Sequence, residues 1–548
     1  MQKELVKANI VVFIASFCTL VIELVAGRIM APYVGVSLYT WTSIIGIVLA
    51  GISIGAYLGG LVADRYPRPS TLGWLLFFSG LGAFSISPLT NLVGGAEFQT
   101  SLMVRILLIT TIVFFVPSCI LGMISPVVVK LTLHNLQKTG NVVGKIYAFS
   151  TLGSILGTFA TGFFLIQWMG TRHTLLTMGA ILIVSAPIFG NFFQRKKVFA
   201  IFFLSLFAYF IILLPLAVWG GYSAVYPERS SLPTSLLQAM RTLYGLAFEF
   251  PIDEETYFFK ESDYYTIKVK KNIRGDNGHP LESLVLDHLV HSYTDLKDPL
   301  YLEYEYIRIY EEVVRWQASQ RKSFKTLFIG GGGYTFPRFV ETKYPDAKID
   351  VVEIDPEITR AVHQYLGISK DTKIRSFNED GRWFVMNCKE QGTYDFIFGD
   401  AFNDLSIPYH LTTKEFASQL KTLLKPDGLL LANVIDSFKK GAFMPSYIRT
   451  LEEVFGKGNV HLILLTSDYD HIGISTCVIV ASPKRLDMED FVMKVKGRQG
   501  ESITSHVMPP DRLQQYLKER YSVILTDDYV PVDNLIAPIF EERFGYQR

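Results

Sequence analysis

Residues 325–334 read Lys325-Thr326-Leu327-Phe328-Ile329-Gly330-Gly331-Gly332-Gly333-Tyr334. A short apolar run leads straight into four glycines, and a helical pattern begins at about Phe336. An apolar run that does not alternate with polar residues fits a strand buried on both faces. Glycines directly after a first strand let a ligand approach the backbone, and open α/β sheets bind ligands outside the carboxyl ends of their strands, at the switch point. A tight strand-to-helix turn also asks for glycine, so the neighbouring strands have to arbitrate.

The next strand ends Val351-Val352-Glu353-Ile354-Asp355-Pro356. It puts Glu353 about 20 residues beyond the glycines, where an acidic side chain grips a ribose diol. After a third strand come Asn378-Glu379-Asp380-Gly381-Arg382, with a carboxylate placed to accept a hydrogen bond from an adenine amino group. The fourth strand, residues 394–399, delivers Asp400 at its tip, followed by Ala401-Phe402-Asn403-Asp404. Residues 413–424 read as the next helix, and Lys425-Pro426-Asp427-Gly428 as a turn into a fifth strand over 429–434. Strand and helix alternate to about residue 460, which argues a parallel sheet covered on both faces. Upstream, residues 264–269 and 283–287 read as a small β region, and 301–316 as a helix.

The first 220 residues are of another kind. Aromatic residues make up 14% of the chain and charged residues 19%, below the roughly 25% usual in soluble domains. Apolar runs at about 9–31, 38–63, 72–93, 106–129, 146–169, 175–193 and 198–219 each approach the ~20 residues that a bilayer requires. Seven spanning helices are expected. Glycines at four-residue spacing (Gly51, Gly55, Gly59; Gly153, Gly157) suit close helix packing. Glu23 inside the first run is a costly ionisable group with either a structural partner or a transport role. Basic residues such as Lys3, Lys7, Arg65, Arg68, Lys130 and Lys145 lie on the N-terminal side of the membrane, which makes that side cytoplasmic. Seven crossings would then put the C-terminal half outside, although its chemistry asks for the cytoplasm. Residues 232–250 contain Gln238 and Arg241 and suit an interfacial amphipathic helix better than an eighth span.

Lys and Arg number 52 against 51 Asp and Glu, so no basic excess points to nucleic acid. The four cysteines are too scattered for a metal site or a disulfide framework. His288 and His291 lack a third ligand nearby, and no metal is expected.

Glu261-Ser262-x-Tyr264, Leu284-x-Leu286-Asp287, Ile329-Gly330-Gly331-Gly332, Val352-Glu353-Ile354-Asp355-Pro356, Asp380-Gly381 and Tyr394-Asp395-x-Ile397-x-x-Asp400 occur in the order found in polyamine aminopropyltransferases. The chain resembles that spermidine synthase family over about residues 257–434, and as a whole it resembles bacterial fusions of such a domain to a multi-span membrane region. The resemblance implies a multi-span α-helical membrane domain (1–220), a linker or interfacial helix (221–256), a small N-terminal β region (257–300) and an α/β Rossmann-like, methyltransferase-type domain (301–548). It implies decarboxylated S-adenosylmethionine as donor, with Gly330, Gly331 and Gly332 along its thioether portion, Glu353 on the ribose, Asp380 with Gly381 at the adenine, and Asp400 as the catalytic group that takes the amine's proton. Tyr264, Tyr265, Asp287, His291, Asp404 and His410 are the candidates for the acceptor side of the pocket.

The chain departs from the family where Gly333-Tyr334 replaces an Asp-Gly pair, Tyr265 and His291 replace glutamines, and Asn403 stands where a second acid is common, with Asp404 adjacent. Loss of the carboxylate at 333 opens S-adenosylmethionine itself as an alternative donor, with methyl transfer as the alternative reaction. Asp400 has a purely structural alternative as a loop cap, and His410 one as part of a helix entry. The expected partners are a polyamine and the plasma membrane, with a homodimer left open. The non-catalytic alternative is a nucleoside- or polyamine-binding sensor or transporter.

Overall fold

The computed structural model describes residues 2–35, 37–94, 96, 102–133, 139–225, 236–249, 252–318, 321, 323–402, 407–496 and 504–544. The chain divides into two compact units, Met1–Asp253 with Glu261–Asp263, and Glu254–Lys260 with Tyr264–Arg548.

The first unit is helical: α1 (Gln2–Val34), α2 (Leu38–Arg65), α3 (Pro69–Gly94), α4 (Leu102–Gly122), α5 (Ile124–Thr132), α6 (Thr139–Ala160), α7 (Ile166–Phe189), α8 (Lys196–Ala208), α9 (Leu214–Val225) and α10 (Leu236–Phe248). Six helices among the described residues are long and apolar enough to cross a membrane, where seven were expected. The difference lies in the expected fifth and sixth runs, which join in one 51-residue stretch, Thr139–Phe189. It is interrupted at Gly170, whose φ of 72° and ψ of 175° leave the helical region. Residues 59–65, which carry glycines and an Asp-Arg pair, are the last turns of α2, and Asp64 pairs with Lys130 at 2.7 Å.

Gly51, Gly55 and Gly59 are buried along one face of α2. A Cβ on Gly55 would collide with the carbonyl oxygen of Cys119 in α4, so this glycine ladder allows close backbone approach, as the spacing suggests. Arg172 is buried but supplied with acceptors: it donates to Ser87 Oγ at 2.8 Å, Asn91 Oδ1 at 2.7 Å and the Glu249 carbonyl at 3.0 Å. A buried guanidinium left without such acceptors would be strongly destabilising.

The second unit opens with a four-stranded antiparallel sheet, β1 (Thr256–Glu261), β2 (Thr266–Arg274), β3 (Pro280–Leu286) and β4 (Leu289–Thr294). Helix α11 (Glu305–Ala318) leads into the main sheet. There β5 (Lys325–Ile329), α12 (Thr335–Lys343), β6 (Lys348–Val352), α13 (Pro356–Tyr365), β7 (Arg375–Phe377), α14 (Gly381–Asn387), β8 (Tyr394–Gly399), α15 (Lys414–Leu423), β9 (Leu424–Ser437), α16 (Phe443–Phe455), β10 (Val460–Leu464), β11 (Ile474–Ala481) and, after α17 (Met488–Lys496), β12 (His506–Val507) give the spatial order β7-β6-β5-β8-β9-β11-β10-β12. The five strands from β7 to β9 are parallel, whereas β11 runs antiparallel to both neighbours. This is the Rossmann-like, methyltransferase-type arrangement.

The sheet is therefore mixed, not parallel throughout. The alternation of strand and helix ends at α16, and β10 and β11 follow each other with no helix between them. An antiparallel neighbour needs only a short connection, while a parallel one needs a crossover. The expected turn at 425–428 also belongs to β9, whose pairing with β8 shifts register between Tyr394 and Phe396.

Local chemistry explains where the helices start. Asp355 accepts from Glu357 N and is followed by Pro356 at the first helical position; Asp380 accepts from Trp383 N, and Thr413 from Phe416 N. Each cap satisfies a backbone donor that has no partner within its helix. Beneath the strand ends, Phe328 and Phe398 stack at 4.5 Å and Tyr310 meets Phe398 at 4.9 Å. Aromatic packing thus holds β5, β8 and α11 in fixed register.

Candidate active site

The chain order reverses beside β5, since β6 and β7 lie on one side of it and β8 and β9 on the other. This is the switch point, and ligands bind outside the strand ends there. The two residues that leave the strands at that crevice are Gly330 and Asp400. Gly330 has φ 96°, and a Cβ on it would stand 2.5 Å from the Asp400 carbonyl oxygen. Only glycine lets the two loops meet this closely.

A cavity of about 460 Å³ opens at this point, bounded by Gly330–Gly333, Asp400, Phe402 and Asn433 on the main sheet, by Tyr306 and Tyr310 of α11, and by residues 288–293 of β4 and its turn. Asp400 is held on both oxygens: Asn433 Nδ2 donates to Oδ1 at 2.8 Å and the Tyr306 hydroxyl donates to Oδ2 at 3.0 Å. Burial pushes the Asp400 carboxyl above the usual carboxylate range, and the two donors partly offset that. A carboxylate raised in this way is better matched to receiving a proton.

Tyr306→Phe should remove one donor to the charged form and raise the Asp400 pKa further. The acidic limb of the kcat/KM profile is then expected to move to higher pH. An unchanged limb in a pH–rate measurement would mean that Asp400 does not act as base.

Glu353, at the end of β6, is 5% exposed and folds back on the glycine loop. Its Oε2 accepts from Gly331 N at 2.9 Å and Gly332 N at 3.3 Å, and its Oε1 from Asp355 N at 3.0 Å. Burial is the chief cause that lifts its pKa to about 7, against the pull of these N–H groups. Asp380 caps α14, and its second oxygen meets His410 Nε2 at 2.9 Å. Burial raises the Asp380 carboxyl, but the Trp383 N–H and the His410 ring bring it below the usual value. Gly381 packs against Ile329 at the end of β5.

The structure separates the acceptor candidates. His291 lines the cavity, and burial followed by the neighbouring His288 lowers its pKa to about 4, which keeps it neutral. Tyr265 reaches the cavity's edge, donating to the Phe402 carbonyl at 3.3 Å. Tyr264 is exposed and stands outside the lining. Asp287 turns the β3–β4 hairpin with φ 53°, accepts from Thr266 N at 2.9 Å and stands outside the cavity lining. His410 serves Asp380 and does not line the cavity. Asp404 lies outside the described residues.

Sequence reading missed Tyr306, Tyr310, Asn433 and Ser292. Asn433 carried a signal, as the one amide in the otherwise apolar run 429–434, because a polar side chain in a buried strand needs a partner. Tyr306 and Tyr310 are four apart on an amphipathic helix, a pattern that core packing explains equally well.

Residues 310–479 match the family model of the spermine/spermidine synthase domain. The chain is 23% identical over 498 residues to polyamine aminopropyltransferase 2 of Aquifex aeolicus, covering 88% of this chain and 89% of that protein. It is 36% identical over 119 residues to a polyamine aminopropyltransferase of Vibrio vulnificus, covering 22% of this chain and 40% of that one. A crystal structure of a probable spermidine synthase from Corynebacterium glutamicum superposes with a TM-score of 0.43 at 19% identity, over 50% of this chain and 97% of that one. β5 and β8, with Gly330–Gly333 and Asp400 at their ends, lie inside the stretch that matches the spermine/spermidine synthase domain, and over most of its length this chain is similar to a polyamine aminopropyltransferase.

Proposed function

We propose that the protein is a membrane-anchored transferase that moves the aminopropyl arm of decarboxylated S-adenosylmethionine to a polyamine-type amine. The observation that carries this reading is a cavity bounded both by the Gly330–Gly333 loop and by an Asp400 carboxylate fixed on both oxygens. The match to the Aquifex polyamine aminopropyltransferase over most of both chains supports it.

The reaction is one displacement. The acceptor amine attacks the arm's terminal carbon beside the sulfonium, the C–S electrons pass to sulfur, and methylthioadenosine leaves. A free alkylamine has a pKa near the ~10.4 of lysine, so an acceptor for its proton is needed, and Asp400 is placed to serve. The rest of the rate comes from aligning lone pair, carbon and sulfur. In this reading Glu353 grips the ribose, Asp380 the adenine, and the glycine loop lies along the thioether.

The six long apolar helices support a multi-pass location in the plasma membrane, and the donor's chemistry favours the cytoplasm for the second unit. The test is a product assay on full-length protein in detergent, given decarboxylated S-adenosylmethionine and a panel of diamines. Release of methylthioadenosine with an acceptor longer by one aminopropyl unit is expected. S-adenosylhomocysteine and a methylated acceptor, formed from S-adenosylmethionine, would replace this reading with methyl transfer.

A further inference from the structure

The wall of the cavity beyond the glycine loop is unlike what a bare ammonium needs. Helix α12, nine residues long, begins there with no side-chain cap on its first turn. A helix N-terminus carries partial positive charge and favours an anion. Ser292 of β4 stands at the same spot, since a Cβ on Gly333 would collide with its Oγ. Ser292 is 6% exposed, lines the cavity, and its Oγ is buried without a hydrogen-bond partner. A buried hydroxyl of this kind is costly unless a ligand engages it. The imidazoles of His288 and His291 line the same side. Among the described lining residues the one acidic side chain is Asp400.

A donor gripped by Glu353 and passing the glycine loop would bring the end of its arm to this wall. A lone ammonium would find a hydroxyl, a helix N-terminus and imidazoles, none of them an anion. A carboxylate would find donors and a favourable field. Resting on the proposed transferase reading, we propose that this site accepts S-adenosylmethionine with its carboxylate intact, and transfers the 3-amino-3-carboxypropyl arm to the amine. The bonds balance as before: the amine nitrogen bonds to the γ-carbon, the C–S bond breaks with its electrons going to sulfur, methylthioadenosine leaves, and Asp400 takes the amine's proton. No oxidant or metal is needed. Ser292 is then a specificity-determining residue.

The experiment compares the two donors on full-length wild-type protein, with 1,4-diaminobutane and spermidine as acceptors and products read by mass spectrometry. Calorimetry of each donor without acceptor runs in parallel. Expected are methylthioadenosine and an amino-acid-bearing product from S-adenosylmethionine, at a rate no lower than from the decarboxylated donor. Ser292→Ala should weaken S-adenosylmethionine roughly tenfold or more relative to the decarboxylated donor, as for a hydrogen bond to a charged group. Ser292→Asp should reverse the preference. Methylthioadenosine from the decarboxylated donor alone overturns this inference and leaves the transferase reading standing. S-adenosylhomocysteine as the product, or no product from either donor, overturns both.

Discussion

Asp400→Asn is expected to lower the single-turnover rate by ~10² or more, the scale for losing a general base, with donor affinity little changed. The substitution keeps size and shape, and its surroundings can adjust. Asp400 now receives Asn433 Nδ2 and the Tyr306 hydroxyl. An asparagine presents one acceptor and one donor in their place. The Tyr306 hydroxyl can turn to accept, and Asn433 has an Oδ1 without a partner in its present orientation. The fold should therefore survive and the chemistry should not, because an amide cannot take up the proton that the attacking amine must lose. Rapid-quench turnover and calorimetric donor titration on the same preparation separate the two effects. A variant that turns over like wild type would remove Asp400 from the reaction and leave it as the cap of the loop after β8.

The structural reason for singling out Asp400 was visible in the sequence, but only in part. The strand ends were legible because a parallel core strand is a continuous apolar run that stops abruptly. Residues 325–329 and 394–399 were read as the strands that are found. Gly330 and Asp400 were placed correctly at their tips, and their juxtaposition follows from β5 and β8 being neighbours. The position of β11 between β9 and β10 was not legible, because strand order in space depends on packing that no local pattern records. The same limit hid Tyr306 and Ser292. Each looks ordinary within its own element, and comes to line the cavity only when α11 and β4 are brought to the end of the main sheet.

Asp287 and His410, pocket candidates by their motifs, stand outside the cavity lining, where Asp287 turns a hairpin and His410 meets the Asp380 carboxylate. In the helical unit the expected runs 146–169 and 175–193 are parted by Gly170-Thr171-Arg172-His173-Thr174, a polar gap legible in the sequence, although the apolar helical stretch runs on from Thr139 to Phe189. Gly170 marks the break in the backbone, with φ 72° and ψ 175°.

Glu353→Gln should fail differently from Asp400→Asn. Donor binding is expected to weaken by ~1.5–3 kcal/mol, the range for a hydrogen bond to a charged group, with the turnover of bound donor much less affected. The pH dependence gives a second, independent reading. The Glu353 pKa rises from 4.5 to about 7 in the folded protein, so the folded state holds that proton more tightly than the unfolded chain. The stability this proton contributes is complete below pH 4.5 and is lost as the pH rises through about 7. The thermal midpoint of wild type should therefore fall across that window, and more steeply than that of Glu353→Gln. Only the difference between the two proteins is diagnostic, because buried Asp436 is shifted in the same direction, also to about 7. Donor affinity should move the opposite way, improving as Glu353 ionises and becomes the stronger acceptor for a ribose hydroxyl, and it should be flat in the variant. If Glu353 only braces the glycine loop through Gly331 and Gly332, the variant flattens the stability profile and leaves donor affinity, at every pH, where it was.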